Sequence, residues 1–207
     1  MLNVLLLGNY TNEMWHQFSG CDLFLKKTLG DVAVCTATED YQEYDITDFA
    51  KYDAVLVHSL KFDLPEKTCR AIVEYVVRGG AFLSFHATIL AFYPTELIQM
   101  NGAAFKMHPP FQTVQYLPSD QHPITKDVDP FALEEEPFQF DFAELTKTEV
   151  FLTYSDSAQN QPAGWCHPYG KGRVVYLQPG HTQASFENAD YQKLIRNSVL
   201  WATGRLT

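Results

Sequence analysis

Residues 79–88 read Gly-Gly-Ala-Phe-Leu-Ser-Phe-His-Ala-Thr, and they limit the folds open to this chain more than any other stretch. Gly79 and Gly80 suit a helix C-cap followed by a tight turn, because glycine reaches left-handed backbone at little steric cost. The next five residues are almost wholly apolar, the pattern of a strand covered on both faces. His86 stands where that strand gives way to the next element. In open α/β sheets the ligand crevice lies beyond the carboxyl ends of the strands. Position alone therefore makes His86 a candidate site residue, weighed against a core histidine that bonds backbone.

The upstream chain supplies the rest of the frame. Residues 2–7 form a continuous apolar run closed by Gly8-Asn9, a strand and a turn. Met14, Phe18, Cys21, Leu25 and Leu29 fall on one helical face, and Gly30 ends that helix. A short strand is expected over 32–35, a polar and aromatic loop over 39–51, and a buried strand over 54–57 ending at His58-Ser59. Pro65 and Glu66 open a helix whose stripe is Cys69, Ile72, Val73, Val76 and Val77. The order β-α-β-loop-β-α-β calls for a parallel sheet with right-handed crossovers. A flavodoxin-like order sets strands 2–7, 54–57 and 81–85 side by side, with Asn9, His58 and His86 on one rim.

From about 88 to 136 the texture changes to proline, histidine and aromatics, with a strand at 113–117. Such segments are expected to fold over the strand ends and carry the site. Strands return at 150–154, 163–167 and 173–177, the last two joined by a hairpin through Gly170 and Gly172. A final helix spans about 188–202, with Tyr191, Leu194, Ile195, Ser198 and Trp201 on one face. No repeat or linker interrupts the chain, so a single domain over 1–207 is expected.

Composition narrows the partners. The formal net charge is −10 and no basic stripe is visible, so neither nucleic acid nor an anionic membrane is expected to bind. No apolar run approaches the roughly 20 residues of a membrane span, and the first strand lacks the basic start of a signal peptide. Cys21, Cys35, Cys69 and Cys166 are scattered without a CxxC pair, which reads as free thiols in a cytoplasmic protein.

Five groups stand at strand ends or in Pro/Gly loops where side chains converge: His86, His108, His122, Glu135 and His181. Imidazole and carboxylate ligate zinc or a similar metal, act as acid and base, or hydrogen-bond a sugar. No HxH, HExxH or HxxxH pair fixes a metal site by spacing. His108-Pro109 and His122-Pro123 also read as turn chemistry. Glu134-Glu135-Glu136 also reads as a solvated acidic loop. His16 either reaches the rim or lies exposed on its helix, and His167 reads as structural or exposed. No cysteine stands at the strand-to-helix turn, so cysteine-dependent amide transfer is disfavoured. The absence of GxGxxG and GxxxxGK[ST] gives no reason to expect a nucleotide.

These residues together resemble the ThuA-like (trehalose utilisation) family of the class I glutamine amidotransferase-like superfamily. The resemblance runs through Tyr52-Asp53-Ala54-Val55, residues 77–88, Phe105-Lys106-Met107-His108-Pro109, His122-Pro123-Ile124-Thr125 and Glu135-Glu136. It continues through Gly170-Lys171-Gly172-Arg173-Val174, Gly180-His181-Thr182 and Leu200-Trp201-Ala202. It implies an α/β, flavodoxin-like three-layer sandwich with a mostly parallel central sheet and additional C-terminal strands. It implies one pocket holding His86, His108, His122, Glu135 and His181. Within it, His86, His181 and Glu135 are the expected acid–base residues, and His58, Asn9 and His122 the expected substrate contacts. His86, His108, His122 and His181 are the expected ligands of a divalent metal such as zinc. The family's Asp-Glu-x-Tyr reads Glu135-Glu136-Pro137-Phe138 here, leaving the carboxylate open between Glu135 and Glu136, and His16 loosely matches a loop histidine. His181 resembles the amidotransferase histidine without its cysteine, and Gln183 stands in place of the acid. The implied partner is a small-molecule carbohydrate such as a sugar or keto-glycoside, acted on by hydrolysis, elimination or isomerisation. The alternative is a non-catalytic module that binds a sugar or a partner. A homodimer is the default assembly.

Overall fold

The computed structural model describes residues 1–11, 16–60, 64–91, 95–155 and 159–206. Met14 of the first helical stripe lies outside them. Strands β1 (Leu2–Gly8), β2 (Ala33–Thr38), β3 (Ala54–His58) and β4 (Ala81–Phe85) form a parallel set in the order β2-β1-β3-β4. The expected neighbours are thus adjacent, with Gly8 in register with His58. Strand β11 (Gly172–Leu177) adds parallel to β4, pairing Leu177 with Phe85.

Strands β1, β3, β4 and β11 bury both faces, the edge strand β2 only in part, and the period of two sorts their side chains between two cores. Val4, Leu6, Leu56, Leu83, Phe85 and Val175 face one core, where helices α1 (Phe18–Leu29) and α5 (Ala189–Ala202) contribute Leu25, Leu194 and Val199. Leu5, Leu7, Val55, Val57, Phe82 and Tyr176 face the other. There α3 (Glu66–Val77) and α4 (Thr95–Asn101) supply Cys69, Ile72, Val76 and Met100. Helix, sheet and helix are the three layers of a flavodoxin-like fold. Among the described residues no helix is long and apolar enough to cross a membrane.

Beyond β11 the sheet turns antiparallel through β10 (Asn160–Tyr169), β9 (Glu149–Ser155), β6 (Gln112–Pro118) and β7 (Phe131–Glu135). The middle of the chain therefore widens the sheet as well as forming loops. Strand β7 escapes a sequence reading because its inward residues are Phe131, Leu133 and Glu135, and a carboxylate in the third place breaks the apolar alternation. Strands β5 (Ala103–Met107) and β8 (Gln139–Phe142) make a separate ribbon, seating Phe105 and Phe140 on the second core. The 39–51 segment holds one helical turn, α2 (Ile46–Phe49), because Asp45 and Asp48 form a reciprocal capping box.

Candidate functional site

At the carboxyl edge of the parallel strands the backbone does something unusual for its residue types. His86 has φ +43° and His16 has φ +61°, both in the left-handed region. Non-glycine residues held there by the surrounding structure cluster at functional sites. His86 opens a 3-10 turn directly after β4, so its ring enters the crevice.

Four side chains meet there. His16 Nε2 lies 3.0 Å from His181 Nδ1, and Glu136 Oε2 lies 3.2 Å from that same nitrogen. Glu136 Oε2 is also 3.9 Å from His16 Nε2 and 3.9 Å from His86 Nε2. The four ligand atoms all lie within 4.8 Å of one another. His86 is fully buried, and Glu136 is the most open of the four, its side chain 21% exposed.

The hydrogen bonds fix the protons. His86 Nδ1 donates to the carbonyl oxygen of Gln178 at 2.8 Å, so its Nε2 carries a bare lone pair. That Nε2 is buried and has no hydrogen-bond partner among the described residues. Burial pushes the His86 pKa well below its ordinary value, with the His16 charge adding to the effect. Burial lowers His16 to about 3, and also lowers His181, where Glu136 opposes the shift. Neutral imidazoles facing one carboxylate present more acceptors than the protons between them satisfy. A cation resolves that mismatch.

Gln178 organises the cluster from below. Its backbone holds His86, its Nε2 donates to the Glu136 carbonyl at 2.7 Å, and its Oε1 accepts from Tyr116 at 2.7 Å. Glu135 has a different task from Glu136. It is fully buried and accepts from the Gly180 amide at 2.7 Å, the His181 amide at 3.1 Å and the Ser185 hydroxyl. Burial raises its pKa to about 7 while those donors pull the other way. Glu135 thus holds the backbone of the loop that presents His181. Gly180 in that loop has φ +144°, and a Cβ there would stand 3.1 Å from His86 Cβ, so only glycine fits.

The other expected residues lie at differing removes. His58 is buried beneath the loop, donating from Nε2 to the Gly180 carbonyl at 2.8 Å. Asn9 follows β1 and turns the chain by accepting from the Thr11 amide. His108 is exposed, its ring 5.4 Å from that of Phe138, which in turn stacks on His86 at 4.4 Å. His122 is placed elsewhere, in a second group with Glu149 and Cys166. Its Nδ1 accepts from the Ile124 amide, so its Nε2 carries the proton and faces Cys166 Sγ at 3.3 Å. That tautomer makes His122 a donor and a cap for the following 3-10 turn. Sequence reasoning left His16 and Glu136 open, and the structure brings both into the cluster. It also shows Phe111, 47% exposed with its ring 5.0 Å from that of His181, which no local motif announced.

A family model described as ThuA, trehalose utilisation, matches residues 6–202. No curated protein matches the chain. Among solved structures, a ThuA-like protein of Bacteroides uniformis superposes with a TM-score of 0.80 at 21% identity, covering 97% of this chain and 91% of that one. One from Parabacteroides merdae gives 0.79 at 19% identity, covering 100% and 91%. A cytoplasmic protein of Salmonella typhimurium gives 0.74 at 17% identity, covering 97% and 99%.

Proposed function

The chain belongs to the ThuA (trehalose utilisation) family, and from that premise we propose that it is a cytoplasmic enzyme acting on a sugar or keto-glycoside. In this reading His16, His86, Glu136 and His181 hold a divalent cation such as zinc, and the reaction is a hydrolysis, elimination or isomerisation. The observation that carries it is the bare, buried Nε2 of His86, aimed at three further ligand atoms and satisfied by none.

The fit to a cation rests on the donor set and its spacing. Metal–ligand bonds of about 2.0–2.1 Å in a tetrahedron separate the ligand atoms by about 3.3–3.4 Å. The separations here run from 3.0 to 3.9 Å for the contacts that join Glu136, His181, His16 and His86. Imidazole with carboxylate suits zinc and related ions. When bound, such an ion would polarise a carbonyl or hydroxyl oxygen by taking it as a fifth ligand.

The protein's own groups divide the remaining work. His86 and His16 form the buried side of the cluster, while Glu136 and His181 reach its more open side. Glu136 is placed to take a proton from a carbon or hydroxyl next to a polarised oxygen and to return it, which elimination and isomerisation both require. His181 Nδ1 lies 3.2 Å from Glu136 Oε2, so the two would face the ion side by side and leave Glu136 Oε1 to carry the proton. Phe111 offers an exposed apolar face for the C–H side of a sugar ring.

The test is turnover of a panel of glycosides and 3-keto-glycosides by zinc-loaded wild type and by Glu136→Gln. The reading expects turnover of at least one compound, reduced about 100-fold or more in the variant. Binding without turnover across the panel would favour the sugar-binding module instead.

A further inference from the structure

A cavity of about 520 Å³ opens at the other end of the sheet, beyond the amino ends of the parallel strands. Leu2, Asp53 and Gly80 line it, at the starts of β1, β3 and β4, so the strands' full length separates it from the histidine cluster. Its lining is unlike the rest of the molecule. The chain carries a formal charge of −10, yet Arg78, Lys171, Arg173 and Arg205 converge here, with Asp53 the one carboxylate among the described lining residues.

Part of that charge has an internal use. Helices α3 and α5 both end at this cavity, and helix C-termini favour cations. Arg78 caps α3 and pairs with Glu74. Arg173 donates to the Trp201 carbonyl in the last turn of α5 and lies 4.8 Å over the Trp201 ring. Lys171 and Arg205 serve neither purpose. Among the described residues neither forms an ion pair with a carboxylate. Asp53 accepts from the Asn3 amide at 2.7 Å. With Arg78 neutralised by Glu74, Lys171, Arg173 and Arg205 stand against Asp53 and two helix ends of roughly half a negative charge each, an excess of about one positive charge.

We propose that this cleft binds a phosphate monoester of a small organic molecule. The positive excess favours an anion, and the three terminal oxygens of a phosphate offer these donors more acceptors than the two of a carboxylate. Guanidinium forks match phosphate oxygens in geometry as well as charge. The volume lies within the usual range for small-molecule sites and far exceeds one phosphate group. Ile46, Ala50 and Tyr52 supply a wall for the organic part.

The experiment is a titration of the full ¹⁵N-labelled chain with inorganic phosphate and, separately, with phenyl phosphate, read by amide shifts at constant ionic strength. The expected result is saturable shifts at Gly79, Gly80, Lys171 and Arg205 with none around His86 and His181. Phenyl phosphate is expected to bind tighter than inorganic phosphate. The double variant Lys171→Ala/Arg205→Ala changes two exposed side chains outside the histidine site, and it is expected to weaken phenyl phosphate about tenfold or more. A second variant, Arg205→Glu, is expected to do the same with a single change. Shifts that do not saturate overturn the proposal, as does equal affinity for the two probes, or affinity unchanged in both variants.

Discussion

The Nδ1–H of His86 is tied to the backbone carbonyl of Gln178 at 2.8 Å, and this one bond decides which face of the imidazole is available for chemistry. Because the acceptor is backbone, the tautomer survives any change in the Gln178 side chain. That side chain has a separate role, holding the Glu136 carbonyl and the Tyr116 hydroxyl. Gln178→Ala is therefore expected to leave His86 in place but loosen Glu136, weakening zinc binding about 10- to 100-fold. Competition with a chromophoric chelator measures this. Gln178→Glu keeps an acceptor for Tyr116 but loses the donor to Glu136, so it too is expected to bind zinc less tightly than wild type.

Glu135 and Glu136 are adjacent in sequence and separable by experiment. Glu135→Ala strips the Gly180 and His181 amides and the Ser185 hydroxyl of their shared acceptor. Each buried group left unpaired costs about 1–3 kcal/mol, so a fall of several kcal/mol in unfolding free energy is expected from urea denaturation. Glu135→Gln keeps one acceptor oxygen and is expected to recover much of that loss. Glu136→Gln leaves this loop intact and is expected to change stability by less than about 1 kcal/mol.

The histidines set an acid limit on the metal-free protein. His86 and His16 have folded pKa values lowered by burial, His16 to about 3, against about 6.5 when unfolded. Between those values the unfolded chain binds the protons that the folded chain refuses, so stability falls as pH drops below about 6.5. Each such histidine contributes a slope of about 1.4 kcal/mol per pH unit within that window. Urea unfolding of the metal-free chain from pH 7.5 to pH 4.5 is expected to show this decline. His86→Gln is expected to make it shallower, with His16 still contributing.

His122 takes the turn-chemistry reading of His122-Pro123 and stands apart from the histidine cluster. Its Nδ1 caps the turn at Pro123–Thr125, and its ring stacks on Phe151 at 5.3 Å. His122→Ala is expected to lower stability by about 1–3 kcal/mol. It is expected to leave the zinc stoichiometry of the His16–His86–Glu136–His181 cluster unchanged, measured on the same preparation.

The parallel half of the fold was legible because β1, β3, β4 and β11 are buried on both faces and so write nearly continuous apolar runs. In the widened half the strands at 113–117, 150–154 and 163–167 were legible too, whereas β7, which places Glu135 inward, and β5 and β8, which pair only with each other, were not. Strand order put His86 on a rim with Asn9 and His58, but no sequence period reports which neighbour's backbone a ring will bond. His58 is spent on Gly180 and His122 on Ile124 for that reason. Glu135 and Glu136 looked interchangeable because the distinction lies in three donors contributed by residues 45 to 50 positions away. His16 joins His181 across 165 residues, a pairing that only the folded chain reveals.

The central claim is that these four side chains form a cation site, and metal content tests it most directly. The full chain and its His86→Ala variant would be loaded with excess zinc, dialysed in parallel and analysed by mass spectrometry. The account predicts about one zinc per wild-type chain and little in the variant, with both folded by circular dichroism. Equal zinc in the two proteins, or none in loaded wild type, would contradict it.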